Sequence, residues 1–205
     1  MDVVRCGWAN SSPDYIAYHD DEWGRPVRDD VQLFERLSLE AFQSGLSWIT
    51  VLRKRDAFRE VFAGFDPEVV ARFGERHVDD LLQDARIIRH RGKIEATIRN
   101  AQSLLNQWDQ NGSAWLTTTL LEGAPTDASL VAQGFCRPPQ KLSDLPARCE
   151  ETASLAKHLM RQGFVFLGPT TLYAALQATG FVQDHVAECH LYGGMSGNSR
   201  QVSVE

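Results

Sequence analysis

Gly163-Phe164-Val165-Phe166-Leu167-Gly168-Pro169-Thr170-Thr171 joins two stretches of helical periodicity, and its reading decides the fold. Two glycines bracket an apolar hairpin, and Gly-Pro-Thr-Thr starts a helix, because proline is pre-set for the first helical turn. Residues 155–179 therefore have the layout of a helix-hairpin-helix. In that motif the backbone N–H groups of the turn and of the following helix start hold a phosphate through fixed dipoles, with no basic side chain needed. Gly168, Thr170 and Thr171 become candidate phosphate-contacting positions. On spacing alone, an ordinary helix-turn-helix connection in an all-α core fits as well.

Outward from the hairpin, helices are predicted from Pro146 through Leu155 and Leu159, and from Thr171 to Thr179. Upstream, Asp30 reads as the N-cap of a helix to Ser44, a second helix runs from Ser47 to about Phe62, and Asp66-Pro67-Glu68 is a helix start. Gly92 opens a long helix through Trp108, with Gly112 as terminator. Residues 113–143 read as a connection with one short helix. Strand signals are nearly absent, so residues 1–192 are expected to form one all-α domain, with 193–205 a disordered polar tail.

One position breaks the amphipathic pattern. Leu33, Phe34, Leu37 and Ala41 recur at helical spacing, and Glu40 falls on their face. An ionised carboxylate there needs a partner or a cationic, donor-rich ligand; the plainer reading leaves its head in water at the rim of the stripe. Tyr15, Tyr18 and Trp23 sit in nine residues upstream, and Trp48 follows the helix end at Gly45. Such rings line a surface or belong to the core.

The chain has 205 residues, a formal net charge of −6, 43% hydrophobic and 23% charged residues. That suits a globular domain and argues against a generally basic DNA coat, though not against a local basic face. Arg53, Lys54, Arg55 and Arg59 form one basic cluster, and Arg86 through Arg99 another; a solvated face is the default for each. No apolar run is long enough to span a membrane and the N-terminus lacks a secretory core, so the cytoplasm is expected. Four scattered cysteines without C-x-x-C are not disulfides in that compartment. His185 and Cys189, four apart, share a face if helical, and Cys6 with His19 completes a Cys₂His₂ set; simple burial of these residues, or His190 as a rival ligand, also fits.

Arg5-Cys6-Gly7-Trp8, Tyr15 to Asp20 with Glu22-Trp23-Gly24, Gln43 to Ile49, Ile87 to Ile94, the hairpin, and Asp184-His185 together resemble the bacterial 3-methyladenine DNA glycosylase I family, over about residues 5–192. The resemblance implies an all-α helix-hairpin-helix DNA glycosylase with one structural zinc at Cys6, His19, His185 and Cys189, joining the ends of the domain. It implies base recognition by Glu40 within a pocket of Tyr15, Tyr18, Trp23 and Trp48. Three positions depart from the family pattern: Ala41, Arg86 and Gln183. Ala41 is expected to tighten packing beside Glu40.

The partners implied are alkylated double-stranded DNA and the 3-methyladenine base, acted on by a monomer. Methylation at N3 makes the nucleoside cationic, so the enzyme must find, flip and hold the base more than activate it. Gly45 and Leu46, at the helix end, are the candidate wedge that fills the gap in the duplex. The resemblance implies that the family lacks a catalytic base after the hairpin, so Asp184 is expected behind His185. Two rivals remain: a zinc-stapled helical DNA-binding protein without chemistry, and a bifunctional lyase, against which the lysine-free hairpin speaks.

Overall fold

The computed structural model describes residues 3–193. Every regular element among them is helical: α1 (Pro13–Asp21), α2 (Asp30–Gln43), α3 (Trp48–Leu52), α4 (Arg55–Val61), α5 (Pro67–Val70), α6 (Glu75–Gln83), α7 (Arg91–Asn111), α8 (Trp115–Gly123), α9 (Asp127–Ala132), α10 (Glu150–Arg161) and α11 (Pro169–Ala178), with three short 3-10 turns. The expected tail lies outside the described residues from 194 onward.

Helix α2 is the axis of the bundle and packs against α3, α7, α8 and α11. Its apolar stripe enters the main core, where Phe58, Phe62 and Phe65 stack in sequence and Phe42 packs tilted against Phe58. A smaller cluster of Cys6, Tyr18, Trp23, Ala178, Val186 and Cys189 gathers both ends of the described chain. A cavity opens beside it, with Tyr18 and Trp23 in its wall.

Four sequence expectations need correction. Asp29, not Asp30, caps α2, its side chain accepting from Gln32 N. Asp30 is buried and instead accepts from Trp108 Nε1, Leu116 N, Thr117 N and Thr117 Oγ1 at 2.6 to 2.8 Å, so it satisfies the first free amides of α8. The helix expected over 47–62 is two helices, because the chain tightens at Arg53-Lys54, where Lys54 N bonds Val51 O. Residues 113–143 hold two α-helices and a 3-10 turn, not one short helix. Finally, His185 and Cys189 do not share a helix: 180–193 is a series of turns, with Cys189 N bonded to Val186 O at 2.8 Å.

Residues 162–168 connect α10 to α11. Gly163 has φ +95, and a Cβ there would meet Ser103 Oγ at 2.7 Å, so a side chain at this position is strained and must displace that hydroxyl. Asn100 of α7 holds the turn reciprocally, donating to Val165 O and accepting from Val165 N. Phe166 sits at the tip with φ +59 and an exposed ring.

Candidate functional site

Glu40 lies on the inner face of α2, one turn from its C-terminal end. Only 7% of it is exposed, and no hydrogen bond from the described residues reaches its carboxylate. Burial pushes its pKa up to about 8, with the Arg36 guanidinium one turn earlier opposing the shift. It faces a cavity of about 300 Å³ lined by Trp8, Tyr15, Tyr18, Trp23, Trp48 and Gln43, among others. That volume accommodates a flat heterocycle with room for its attachment.

The rings are held by one another. Trp8 packs edge-on against Tyr15 and Trp23 at 5.5 and 5.3 Å between centroids, and Tyr18 lies 5.4 Å from Trp48. Tyr15 carries a structural bond as well, its hydroxyl accepting from Ile49 N in the first turn of α3. Burial raises the Tyr18 hydroxyl well above the ordinary range, the Glu40 charge adding to the effect, so it remains a proton donor. Trp48 Nε1 is buried at the cavity without an acceptor. A carboxyl group and an indole N–H, each without a partner among the described residues, face one aromatic chamber and form a receptor for a polar heterocycle.

All four sequence-derived pocket rings therefore gather around Glu40. The sequence reading missed Trp8, Gln43, Leu145, Ala174 and Gln177, which complete the wall. Trp8 stood in the first quoted motif and could have been found by its aromatic neighbours; Leu145, Ala174 and Gln177 arrive from far along the chain and give no local signal. Ala41 does not line the cavity. Gly45 and Leu46 lie in the exposed turn between Gln43 and Trp48, at the cavity's edge. Gly168, Thr170 and Thr171 lie at the start of α11, where no side chain caps the helix.

Behind Trp23 sits the second site. Cys6, His19, His185 and Cys189 are all buried, and their donor atoms lie within 4.8 Å of one another. The closest sulfur-to-nitrogen distances, 3.4 to 3.5 Å, match the edge of a tetrahedron of about 3.6 Å built from zinc bond lengths of about 2.3 Å to sulfur and about 2.05 Å to nitrogen. The residues thus fit a tetrahedral metal ion. Burial holds the Cys6 thiol up at about 12 and His185 down at about 4, and a divalent cation reverses the first by favouring thiolate.

His19 Nδ1 bonds Asp20 Oδ1 at 2.8 Å; a carboxylate accepts, so Nδ1 carries the hydrogen and Nε2 is free to ligate. Arg5 holds Asp20 down at about 2. His190 is excluded from the cluster, exposed and bonded to Val4 O.

Asp184 is not where the sequence reading put it. Its carboxylate does not support the His185 ring; it pairs with Arg137 and accepts from Tyr173 Oη at 2.9 Å and Gln177 Nε2 at 2.6 Å. The basic clusters are also largely neutralised: Arg55 pairs with Glu22, Arg59 with Glu35, and Arg91 with Glu75 and Asp79.

A family described as Methyladenine glycosylase matches residues 8–192. The chain is 45% identical over 194 residues to DNA-3-methyladenine glycosylase 1 of Escherichia coli strain K12, covering 94% of this chain and 98% of that one. A crystal structure of 3-methyladenine DNA glycosylase I superposes with a TM-score of 0.82 at 42% identity, over 91% of this chain and 98% of that one. Another, from Staphylococcus aureus and concerned with the structural basis of 3-methyladenine recognition, gives 0.80 at 33% identity, over 91% and 95%. The chain belongs to the methyladenine glycosylase family.

Proposed function

We propose that this protein is a monofunctional DNA glycosylase that flips 3-methyladenine out of alkylated double-stranded DNA and hydrolyses its bond to deoxyribose. The observation that carries the reading is Glu40: a buried carboxylate without a hydrogen-bond partner, facing a ring-walled cavity sized for a purine. The family membership and the relative concerned with 3-methyladenine recognition support the choice of base.

Aromatic faces favour a cationic purine by about 0.5 to 2 kcal/mol, which offsets part of the few kcal/mol that flipping costs. A cationic base displaces the proton that burial keeps on Glu40, and the resulting carboxylate accepts from the exocyclic amine and favours the positive charge of the methylated base. Trp48 Nε1 supplies a donor to a ring nitrogen. Water then forms a bond to C1′, the C1′–N9 electron pair returns to the ring and quenches its charge, and the water's proton passes to solvent. A neutral base is a good leaving group, so no activating acid is required.

Gly45 and Leu46 act as the wedge in the vacated stack. The uncapped start of α11 at Gly168, Thr170 and Thr171 receives a backbone phosphate. Cys6, His19, His185 and Cys189 hold one structural zinc, a closed four-ligand set with no open position for chemistry. The protein acts as a monomer in the cytoplasm; no helix among the described residues is long and apolar enough to cross a membrane.

The test is the spectrum of bases released from methylated DNA by wild type and Glu40→Gln. Free 3-methyladenine should quench tryptophan emission, whereas a DNA-binding protein without chemistry has no use for the base. Full activity in Glu40→Gln would remove that residue from recognition, and selective loss in Asp184→Asn would move the chemistry there. Elemental analysis should find one zinc per chain, absent from Cys6→Ala and His185→Ala; a folded, active, metal-free protein rejects the metal reading.

A further inference from the structure

Lys93, in the first turn of α7, is only 7% exposed, and burial alone lowers its pKa. Its Nζ donates to Phe42 O at 2.8 Å and to Ser44 O at 2.6 Å. These carbonyls close α2, the negative end of the helix that carries Glu40, so the cation is well placed electrostatically. A buried ammonium is nevertheless costly, and an ordinary helix end needs only glycine or water to close it.

The Gly45–Leu46 turn comes directly after those carbonyls. Gly45 has φ +83 with open space around it, and Leu46 is 39% exposed. Two hydrogen bonds tie the turn to a cavity residue: Gln43 Nε2 donates to Leu46 O, and Leu46 N donates to Gln43 O. Lys93 secures the same turn from the opposite element. Two helical turns further along α7, Asn100 holds Val165 of the hairpin by both backbone atoms, and Arg99 donates to Gly163 O. A Cβ added at Gly92, beside Lys93, would lie 3.5 Å from the Phe166 ring at the hairpin tip.

We propose that Lys93 is a positioning residue for base flipping: its ammonium clamps the carbonyls before Gly45, so that α7 presents the wedge turn and the hairpin to duplex DNA at a fixed spacing. The inference rests on reading Gly45 and Leu46 as the wedge. A preformed wedge lowers the cost of opening a paired stack and does little for a base already unpaired.

The experiment compares base release from methylated duplex and from the same DNA strand-separated, using wild type, Lys93→Met, Leu46→Ala and the double variant. Lys93→Met should lose about tenfold on duplex, mostly in kcat, and under about threefold on single strands. Free 3-methyladenine should quench its tryptophans with the wild-type Kd. The double variant should lose no more on duplex than the worse single variant, because clamp and wedge act through one step. Should Lys93→Met not fold, Lys93→Gln, which keeps a neutral donor, should show the same duplex selectivity at smaller size.

Equal loss on both substrates, or additive losses in the double variant, overturns the clamp. If Leu46→Ala is duplex-selective and Lys93→Met is not, the clamp fails alone. If Leu46→Ala shows no duplex selectivity, the wedge reading fails and takes the clamp with it.

Discussion

Glu40 and Asp184 are both buried carboxylates, yet the protein treats them in opposite ways. Asp184 is surrounded: Arg137 pairs with one oxygen, and Tyr173 and Gln177 donate to the other. Asp30 is served as fully, with four donors. Glu40 receives none and keeps its proton to about pH 8. A carboxylate saturated by its own chain is part of the scaffold, whereas one left unsatisfied beside a cavity stores binding free energy for a ligand.

The largest effect should come from the saturated member. Asp184→Ala leaves Arg137 buried with its main partner gone, and breaking such a pair costs about 3 to 5 kcal/mol, read as a lower denaturant midpoint. An unchanged midpoint would mean that Asp184 is not scaffold and would break the contrast. Glu40→Gln should behave in the opposite way: base excision falls about a hundredfold, the loss of one charge-assisted interaction of about 3 kcal/mol, while stability is equal or higher.

The pH dependence sharpens the same point with a smaller effect. Glu40 holds its proton to about pH 8 when folded and loses it near 4.5 when unfolded, so between those values the folded state binds more protons and stability falls as pH rises. Between pH 6 and pH 8 wild type should lose about 2 kcal/mol relative to Glu40→Gln. Parallel stability curves for the two proteins would show that the carboxylate is ionised in the fold.

Much of this was legible in the residues themselves. A Glu on an apolar helical face needs only periodicity to be noticed, and glycines bracketing an apolar run need only spacing. The metal set is less legible, because a four-residue spacing suggests a helix for His185 and Cys189 that the chain does not form; their proximity comes from turns, and their pairing with Cys6 and His19 is a tertiary fact. The resemblance to a known family, not the spacing, strengthened that reading. The two helices of residues 113–143 were hidden for a different reason. Trp115 to Leu121 carries three consecutive threonines, poor local helix formers, and its start signal sits at Asp30. The break at Arg53-Lys54 has no glycine or proline to mark it. The family resemblance alone sets Asp184 behind His185, whereas its side chain turns toward Arg137, 47 positions earlier, a partner that leaves no local signal.

Asp30 also bears on how the molecule comes apart. An N-cap supplied from its own helix lets that helix form early and alone; α8 borrows its cap from a residue 86 positions earlier, so it has little reason to persist once α2 departs. Detachment of α2 would empty the Glu40 chamber and release α8 in the same event, which favours a single melting transition over a stepwise one.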